Sequence, residues 1–401
     1  MARTYNNYTD IIDFSRASVA TYRDADGVVR TAAIDEPRID YDENHFLLGV
    51  LLEPQRTNLY ENGVALENST NFSCYVVQDN VISPDGEQTG DAIFETAGSA
   101  AVRLLYESGI SADVTDDYCI SAFVKPGHRD RVSIGFQCAE GNITGNFYIS
   151  NGACYSNSAG ANSTFRSSGS TSYSNGWKRI WVSGTLQTVD VGNIGLAGLI
   201  LLDDDGATAY TGDDSSPAIY AWGLQLEPGR YPSSLIYTDG AQATRALDYV
   251  DIPVDAFRYS SNSGTIVLTA RCSDYQQYNT RLVNLGATSN EGLDLWVRNT
   301  DTVAVYRDDV NEVLAQSTTV SRDDYHNLAF SYNTDSNVGG LAVNGATHSY
   351  SNVVSDVSSV STIQLNREGT NNGTAGVTHI KNLSYYPRAL SLDYIGELTR
   401  V

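Results

Sequence analysis

Apolar and polar residues alternate in short runs along most of the chain, the pattern typical of β-strands with one buried face. Clear examples are residues 118–127 (YCISAFVKPG), 131–138 (RVSIGFQC) and 219–227 (IYAWGLQLE). Turn-forming pairs such as Pro126-Gly127 and Asn344-Gly345 separate successive runs. Many short strands punctuated in this way predict an all-β protein built from sandwiches.

The division into domains follows from the length and from one break in the pattern. A chain of 401 residues has room for two or three domains. The strand at 219–227 is followed by Pro228-Gly229, by Pro232 and by a polar run through Gly240, which indicates the end of a domain. We therefore predict two tandem β-sandwiches with a short N-terminal leader. The expected boundaries are 1–65 for the leader, 66–250 for a jelly roll and 251–401 for a second sandwich.

The leader contains two short strands around Asp26-Gly27 and then a dense apolar run. The apolar residues of that run are Phe46, Leu47, Leu48, Val50, Leu51 and Leu52. Leaving so many apolar side chains in water would be unfavourable, so we expect the leader to pack on the next domain.

The last residues carry the clearest helical pattern. Ser391 can cap a helix in which Leu392, Ile395 and Leu398 lie on one face.

Composition and charge exclude several classes of partner. Only 18% of the residues are charged, and 48 acidic residues against 25 basic ones give a net charge of −23. We expect a surface this acidic not to bind nucleic-acid phosphates. The sequence contains no run of about 20 apolar residues, so it does not predict membrane insertion. The five cysteines show no C-x-x-C spacing, and no apolar signal segment is visible at the N-terminus. We expect reduced thiols and synthesis in a cytoplasm.

Several segments resemble structural proteins of tailed bacteriophages, especially tail-fibre and minor tail proteins. The resemblance begins with residues 13–33 (DFSRASVATYRDADGVVRTAA), 37–42 (PRIDYD) and 49–59 (GVLLEPQRTNL). It continues through residues 83–95, 121–136 and 175–185 to the closing strand and the "TRALD" that ends at Asp248. It implies a jelly roll similar to carbohydrate-binding modules, followed by a concanavalin A/laminin-G-like sandwich that ends in residues 377–391.

The resemblance also implies a function. It points to a non-enzymatic virion structural protein, in a tail fibre or tail-associated appendage, that contacts host surface polysaccharide. Its partners would be other virion proteins and further copies of itself, with a trimer favoured. It would be located in the virion, assembled in the cytoplasm of the host bacterium. A capsid decoration or head-fibre protein and a polysaccharide-degrading tailspike are the alternatives.

Catalytic motifs are scarce. The five histidines show no metal-ligand spacing, and no nucleophile elbow or phosphate loop occurs. Glu291 and Asp294 in "NEGLDLW" are three residues apart. On a strand, that spacing puts the two carboxylates on opposite faces, where they cannot act on one glycosidic bond. The sequence therefore predicts that the protein is not an enzyme.

Aromatic residues are the candidates for sugar contact. We expect Trp181 and Trp222 to be core residues, whereas the positions of Trp177 and Trp296 stay open. Tyrosines in predicted loops are better surface candidates: Tyr155, Tyr173, Tyr275 and Tyr278. Tyr275, Gln277 and Tyr278 in "SDYQQYNT" are the first choice for a glycan site, because two rings lie beside hydrogen-bonding amides. A solvated hairpin or a subunit contact is the alternative interpretation.

Five carboxylates in one loop region are candidates for calcium, which takes six to eight oxygen ligands. They are Asp203, Asp204, Asp205, Asp213 and Asp214. Their order does not match an EF-hand loop, and solvated acidic turns are the alternative.

Overall fold

A computed structural model describes residues 12–111, 116–138, 141–186, 193–273, 279–286, 292–307, 312–321, 323–353, 357, 360–366 and 376–400. Within these ranges the chain forms 32 β-strands and one α-helix, so the all-β prediction is confirmed. No helix in them is long and apolar enough to cross a membrane.

The leader supplies six short strands. They are β1 (Asp13–Ser15), β2 (Ala20–Arg23), β3 (Val29–Ala32), β4 (Arg38–Tyr41), β5 (Leu47–Leu52) and β6 (Arg56–Asn58). Strands β2 and β3 form a hairpin whose turn contains Gly27 at φ 76, the left-handed conformation that glycine adopts without strain.

The jelly roll follows with fifteen strands. They are β7 (Thr70–Phe72), β8 (Cys74–Val81), β9 (Gly90–Glu95), β10 (Gly98–Ala100), β11 (Leu104–Ser111), β12 (Asp117–Pro126), β13 (Arg131–Gln137), β14 (Asn142–Tyr148), β15 (Cys154–Ala159), β16 (Ser163–Ser172), β17 (Lys178–Leu186), β18 (Asn193–Leu201), β19 (Tyr210–Gly212), β20 (Ile219–Pro228) and β21 (Ala243–Arg245). Two six-stranded sheets, in the orders β15-β14-β13-β18-β11-β7 and β16-β17-β12-β20-β9-β8, face each other. Their facing side chains, such as Ile120, Phe136, Ile180 and Leu224, form one buried core.

The second sandwich contains β22 (Tyr249–Pro253), β23 (Ser263–Cys272), β24 (Thr280–Leu285), β25 (Leu293–Arg298), β26 (Thr302–Arg307), β27 (Glu312–Thr319), β28 (His326–Asn333), β29 (Val338–Val343), β30 (Ala346–Ser351), β31 (Thr362–Leu365), β32 (Thr378–Tyr386) and α1 (Leu392–Leu398). Its sheets are seven-stranded, in the orders β1-β22-β31-β24-β25-β26-β27 and β30-β29-β28-β23-β32-β5-β4. Two tandem sandwiches are thus present, as the sequence predicted.

The leader contacts both sandwiches, whereas the sequence predicted packing on the next domain. Strand β5 pairs with β32, with Leu52 opposite Thr378, and β1 pairs with β22. Three leader strands therefore complete both sheets of the second sandwich. Only part of the leader behaves as predicted, since Val29 of β3 joins a buried cluster with Phe123 and Trp222 of the jelly roll.

Burial of the apolar run is also only partly as expected. Leu51 and Leu52 are buried, whereas Phe46 is 69% and Leu47 46% exposed. The run begins inside the β4–β5 turn, where Asp42 accepts a hydrogen bond from the Phe46 N–H. Phe46 therefore lies outside the paired part of β5.

Helix α1 confirms the prediction for the C-terminus. The Ser391 hydroxyl accepts a 3.3 Å hydrogen bond from the Tyr394 N–H and caps the helix. Ile395 is fully buried and packs with Ala329 and Ala342 of the adjacent sheet.

A buried ionic cluster joins the leader to the segment between the sandwiches. Arg38 contacts Glu53 at 2.6 Å and also pairs with Asp248, which in turn accepts from Arg16 at 3.1 Å. Arg245 lies 3.1 Å from Glu53. Burial alone would raise the pKa of the Glu53 carboxyl, but Arg245 and Arg38 hold it well below its ordinary value. The cluster is thus ionised and fixes the leader beneath the cleft described next.

Candidate ligand-binding cleft

A cleft of about 450 Å³ lies where the leader and the two sandwiches meet. The leader contributes β2 and the residues around β4, and the jelly roll contributes the ends of β16 and β17 with residues 231–235. The second sandwich contributes Arg271, Asp323 and His379. No single domain forms this cavity, because each wall comes from a different part of the chain.

Aromatic side chains line much of the cleft. They are Tyr22, Tyr41, Phe123, Tyr173, Trp181 and Tyr231. Phe123 is fully buried, and the other five are half-buried, so each presents part of its ring to the cavity. The electron-rich face of an aromatic ring attracts the positively polarised C–H groups of a ligand.

Trp181 corrects an expectation from the sequence, which predicted a core residue. Val182 and Ile180, its neighbours on β17, point into the jelly-roll core, so Trp181 points to the other face of the sheet. The indole packs over Gly169 of β16, where an added Cβ would lie 2.3 Å from the ring. Its Nε1 is buried and meets no acceptor within the part of the chain that the structure describes. Trp177, Trp222 and Trp296, by contrast, are buried.

Tyr173 is held in place by contacts on two sides. The Arg23 guanidinium lies 3.6 Å from the ring centroid, and Phe123 meets the ring edge-on at 4.8 Å. Arg23 donates from Nη2 to the carbonyl of Ser172 at 2.8 Å, and its backbone N–H donates to Asp40 at 2.8 Å. The orientation of this ring is therefore fixed before any ligand arrives.

The polar groups of the cleft are equally constrained. His379 Nε2 lies 2.8 Å from Asp40 Oδ2, and the carboxylate requires that nitrogen to be the donor. In the neutral imidazole, Nδ1 is then a buried acceptor with no partner among the described residues. Arg179 donates to the carbonyl of Ser233 at 2.7 Å and to the Ser121 hydroxyl at 3.0 Å.

The carboxylates that face the cleft are already engaged. Asp42 accepts from two backbone N–H groups of its own turn, and Glu43 accepts from the Ser172 N–H at 2.9 Å. Asp323 pairs with Arg271 at 3.3 Å. Together with the ionised Glu53 they form a polar boundary suited to hydrogen bonding with a ligand.

The glycan candidates Tyr275, Gln277 and Tyr278 lie outside the described residues, so their placement stays a prediction. The other two tyrosines proposed from the sequence, Tyr155 and Tyr173, lie in different parts of the structure. Tyr173 belongs to the cleft, whereas Tyr155 is 37% exposed on the other jelly-roll sheet, 4.6 Å from Tyr148.

The aspartates proposed for calcium lie in two turns. Asp203 accepts from the Asp205 and Ala207 N–H groups, and Asp213 accepts from the Ser215 N–H. Asp204 contacts Arg129 at 3.3 Å, while Asp205 and Asp214 are exposed. In the described ranges no group of three or more His, Cys, Asp or Glu side chains is arranged to hold a metal ion. Calcium binding by these aspartates stays a prediction, with solvated acidic turns as its alternative.

The sequence did not reveal the cleft. Asp40 and His379 are 339 positions apart, and the leader segments that contain Tyr22, Arg23 and Asp40 carry no binding motif.

No protein-family model and no curated protein sequence matches the chain. Among solved structures, the chain is similar to the CBM40 domain of a Ruminococcus gnavus IT-sialidase bound to α2,3-sialyllactose, with 16% identity and a TM-score of 0.30. That match covers 35% of this chain and 84% of the CBM40 chain. A putative carbohydrate-binding protein from Bacteroides ovatus is 11% identical with a TM-score of 0.28, covering 71% of this chain and 80% of that one. A Trypanosoma rangeli sialidase in complex with the inhibitor DANA is 10% identical with a TM-score of 0.30, covering 66% and 61%.

Proposed function

We propose that the protein is a non-enzymatic saccharide-binding protein whose cleft holds one or two sugar residues. The observation that carries this proposal is the pairing of half-buried aromatic rings with fixed hydrogen-bonding groups in one cavity. A pyranose has C–H faces that stack on rings and hydroxyls that need both donors and acceptors. Trp181 and Tyr173 supply the rings, and Asp40, Arg23 and Ser234 lie beside them.

The size of the cavity fits this ligand class. A volume of about 450 Å³ is within the usual range of small-ligand sites, which spans roughly 300–1,000 Å³. The site buries only a small ligand and offers few aromatic rings, so we expect weak binding at each site. Many copies of the protein would strengthen the overall attachment.

The biological setting is a further proposal that rests on the resemblance of the leader and the closing strand. We place the protein in a phage virion, assembled in the host cytoplasm, as a tail-fibre or tail-associated component that contacts host surface polysaccharide. Cryo-electron microscopy of intact virions tests this placement. Density on the capsid faces would favour a capsid decoration or head-fibre role instead.

The absence of enzymatic activity is proposed as well. The engaged carboxylates of the cleft support it, because a glycosidase needs one carboxyl group free to donate a proton and another to act as base or nucleophile. We expect no release of reducing ends from capsular or cell-wall polysaccharides. Sustained release by purified protein would support the tailspike alternative.

A glycan array with purified protein tests the cleft directly. We expect binding by the wild type, and at least a tenfold loss of signal for Trp181→Ala and Tyr173→Ala. Tyr155→Ala is the matched control, because it removes a partly exposed ring on the other jelly-roll sheet that does not line the cleft. Equal binding by all four proteins would place the site elsewhere, with Tyr275 and Tyr278 as the next candidates.

A further inference from the structure

The middle of the outward face of one jelly-roll sheet carries no formal charge. Arg131, at the start of β13 opposite Tyr148, also points outward and marks one end of this uncharged area. Along the sheet β15-β14-β13-β18-β11-β7, the inward residues, such as Val132, Phe147 and Leu199, belong to the core, so their neighbours point outward. Strand pairing arranges the outward residues in three rows. The rows are Thr70, Tyr106, Gly198, Gly135, Thr144 and Ser158; Phe72, Leu104, Ile200, Ser133, Asn146 and Ser156; and Ser108, Leu196, Gln137 and Asn142. We call this surface the neutral face.

The absence of charge is notable because the chain has 48 acidic residues and a net charge of −23. Two copies that approach through most other surfaces bring like charges together, which costs free energy. Two neutral faces can meet without placing any carboxylate in the contact.

The neutral face is also self-complementary in shape. Its β18-β11-β7 half carries the large apolar side chains Phe72, Leu104, Tyr106, Leu196 and Ile200. Phe72 is 55% exposed and the other four are half-buried. The β15-β14-β13 half carries glycine, serine, threonine, asparagine and one glutamine, with the Thr144 and Ser158 hydroxyls bonded at 2.7 Å.

A two-fold axis can pair these halves. If the axis runs along the strands, over the boundary between β13 and β18, it places the large side chains of each copy over the small ones of the other. Such an arrangement is isologous, the commonest symmetry of homodimers. Gly135 and Gly198 lie opposite each other at that boundary and leave room for the partner's side chains.

The area suffices for a specific contact. Six strands about 4.8 Å apart and three rows about 7 Å apart give a face of roughly 29 by 20 Å. Two such faces bury about 1,100 Å² in total, above the roughly 1,000 Å² expected of a biological interface.

We propose that the neutral face is the interface of a homodimer in which two jelly rolls pack sheet against sheet. This proposal is independent of the cleft. It replaces the trimer that the sequence favoured with a two-fold assembly.

Light scattering coupled to gel filtration tests the dimer. At tens of micromolar we expect a mass of twice 43.4 kDa for the wild type and 43.4 kDa for Ile200→Glu, which puts two like charges near the axis. Gln78→Glu is the matched control, because it adds the same charge at an exposed position on β8 and should stay dimeric. A monomeric wild type at a hundred micromolar, or a dimeric Ile200→Glu, would overturn the proposal.

A second variant covers the case in which Ile200→Glu does not fold. Gln137→Cys places a thiol at an exposed position of β13, beside the proposed axis, and mild oxidation should join two chains by a disulfide, whereas Gln78→Cys should not. If Gln137→Cys forms no more covalent dimer than Gln78→Cys, the interface is wrong. If Ile200→Glu instead abolishes glycan-array binding at unchanged mass, the neutral face is a saccharide surface and the dimer is likewise overturned.

Discussion

Arg38 and Glu53 form a 2.6 Å ion pair whose two side chains are almost completely removed from solvent. Glu53 also faces Arg245 and accepts hydrogen bonds from the N–H and hydroxyl of Ser234. One carboxylate therefore offsets two buried guanidinium groups and helps to close the floor of the cleft. Removing its charge takes the paired carboxylate away from Arg245 and leaves Arg38 with Asp248 as its remaining ion-pair partner, in a low-dielectric environment.

The first prediction concerns this pair. We expect Glu53→Gln to lower the free energy of unfolding by about 3–5 kcal/mol, the usual cost of breaking a buried ion pair. Chemical denaturation measures the change. Asp24→Asn is the control, because its 2.6 Å pair with Arg30 is exposed to solvent and should cost less than about 1 kcal/mol. Equal effects of the two substitutions would contradict the role assigned to the cluster.

The second prediction concerns pH. Asp91 is buried, and desolvation raises its pKa from 3.8 to about 6, although Leu66 and Asp79 donate backbone hydrogen bonds to it. The folded state then holds this proton more tightly than the unfolded state. The contribution of Asp91 to stability is therefore present below pH 3.8 and is lost as the pH rises to 6, by an amount on the order of 2–3 kcal/mol.

Thermal denaturation of wild type and Asp91→Asn at pH 4, 5, 6 and 7 tests this effect. The stability of the wild type relative to the variant should fall as the pH rises, because the amide does not titrate. A difference that is constant across this range would show that Asp91 is not a buried, late-ionising carboxyl. The pKa of Glu53 is lowered in the folded state, so Glu53 changes stability with pH in the opposite direction. That effect cancels in the comparison because both proteins contain Glu53.

The third prediction uses the contact between Gly169 and Trp181. A methyl group on Gly169 must displace the indole, since the new Cβ would lie 2.3 Å from it. We expect Gly169→Ala to weaken binding of the array-selected glycan about tenfold and to cost about 1–3 kcal/mol of stability through overpacking. Isothermal titration measures the affinity. Gly195→Ala is the control, because its added Cβ comes no closer than 3.5 Å to any atom; full affinity in Gly169→Ala would show that the indole position is irrelevant.

The fourth prediction concerns the leader. Residues 249–401 expressed alone lack β1, β4 and β5, and so leave one edge of β32 and one edge of β22 unpaired. We expect this fragment to be poorly soluble, because unpaired strand edges associate with one another. Adding a separate peptide of residues 12–60 should restore soluble, folded protein, measured by circular dichroism. A stable fragment without the peptide would mean that the leader strands are dispensable.

Limited proteolysis of the intact protein gives a related test. Glu53 is buried and β5 is paired on both sides, so residues 46–59 should resist cleavage even though Phe46 is exposed. Rapid cutting within this segment would show that the leader is not docked.

Local patterns predicted the fold well and the cleft poorly. Alternation of the kind seen in residues 131–138 depends only on neighbouring residues, and so does the cap formed by Ser391. The sequence does not show which sheet β5 joins, because an apolar strand of this kind could pair with any apolar sheet edge. The sequence predicted a core position for Trp181 because this residue lies in a strand pattern. Only the position of the leader shows that the face of the sheet that carries Trp181 borders a cavity.

The pairing of β5 with β32 has a consequence for synthesis. The two sides of this contact are separated by about as much chain as Asp40 and His379, which are 339 positions apart. At about 5–20 residues per second, a ribosome needs roughly 17–70 s between making the first and the second. During that time β4 is the only neighbour of β5 in its sheet that has been synthesised, so the edge of β5 that later meets β32 is available to chaperones or to neighbouring nascent chains. The sheet therefore closes only after β32 has been synthesised, and until then the leader strands have one edge unpaired.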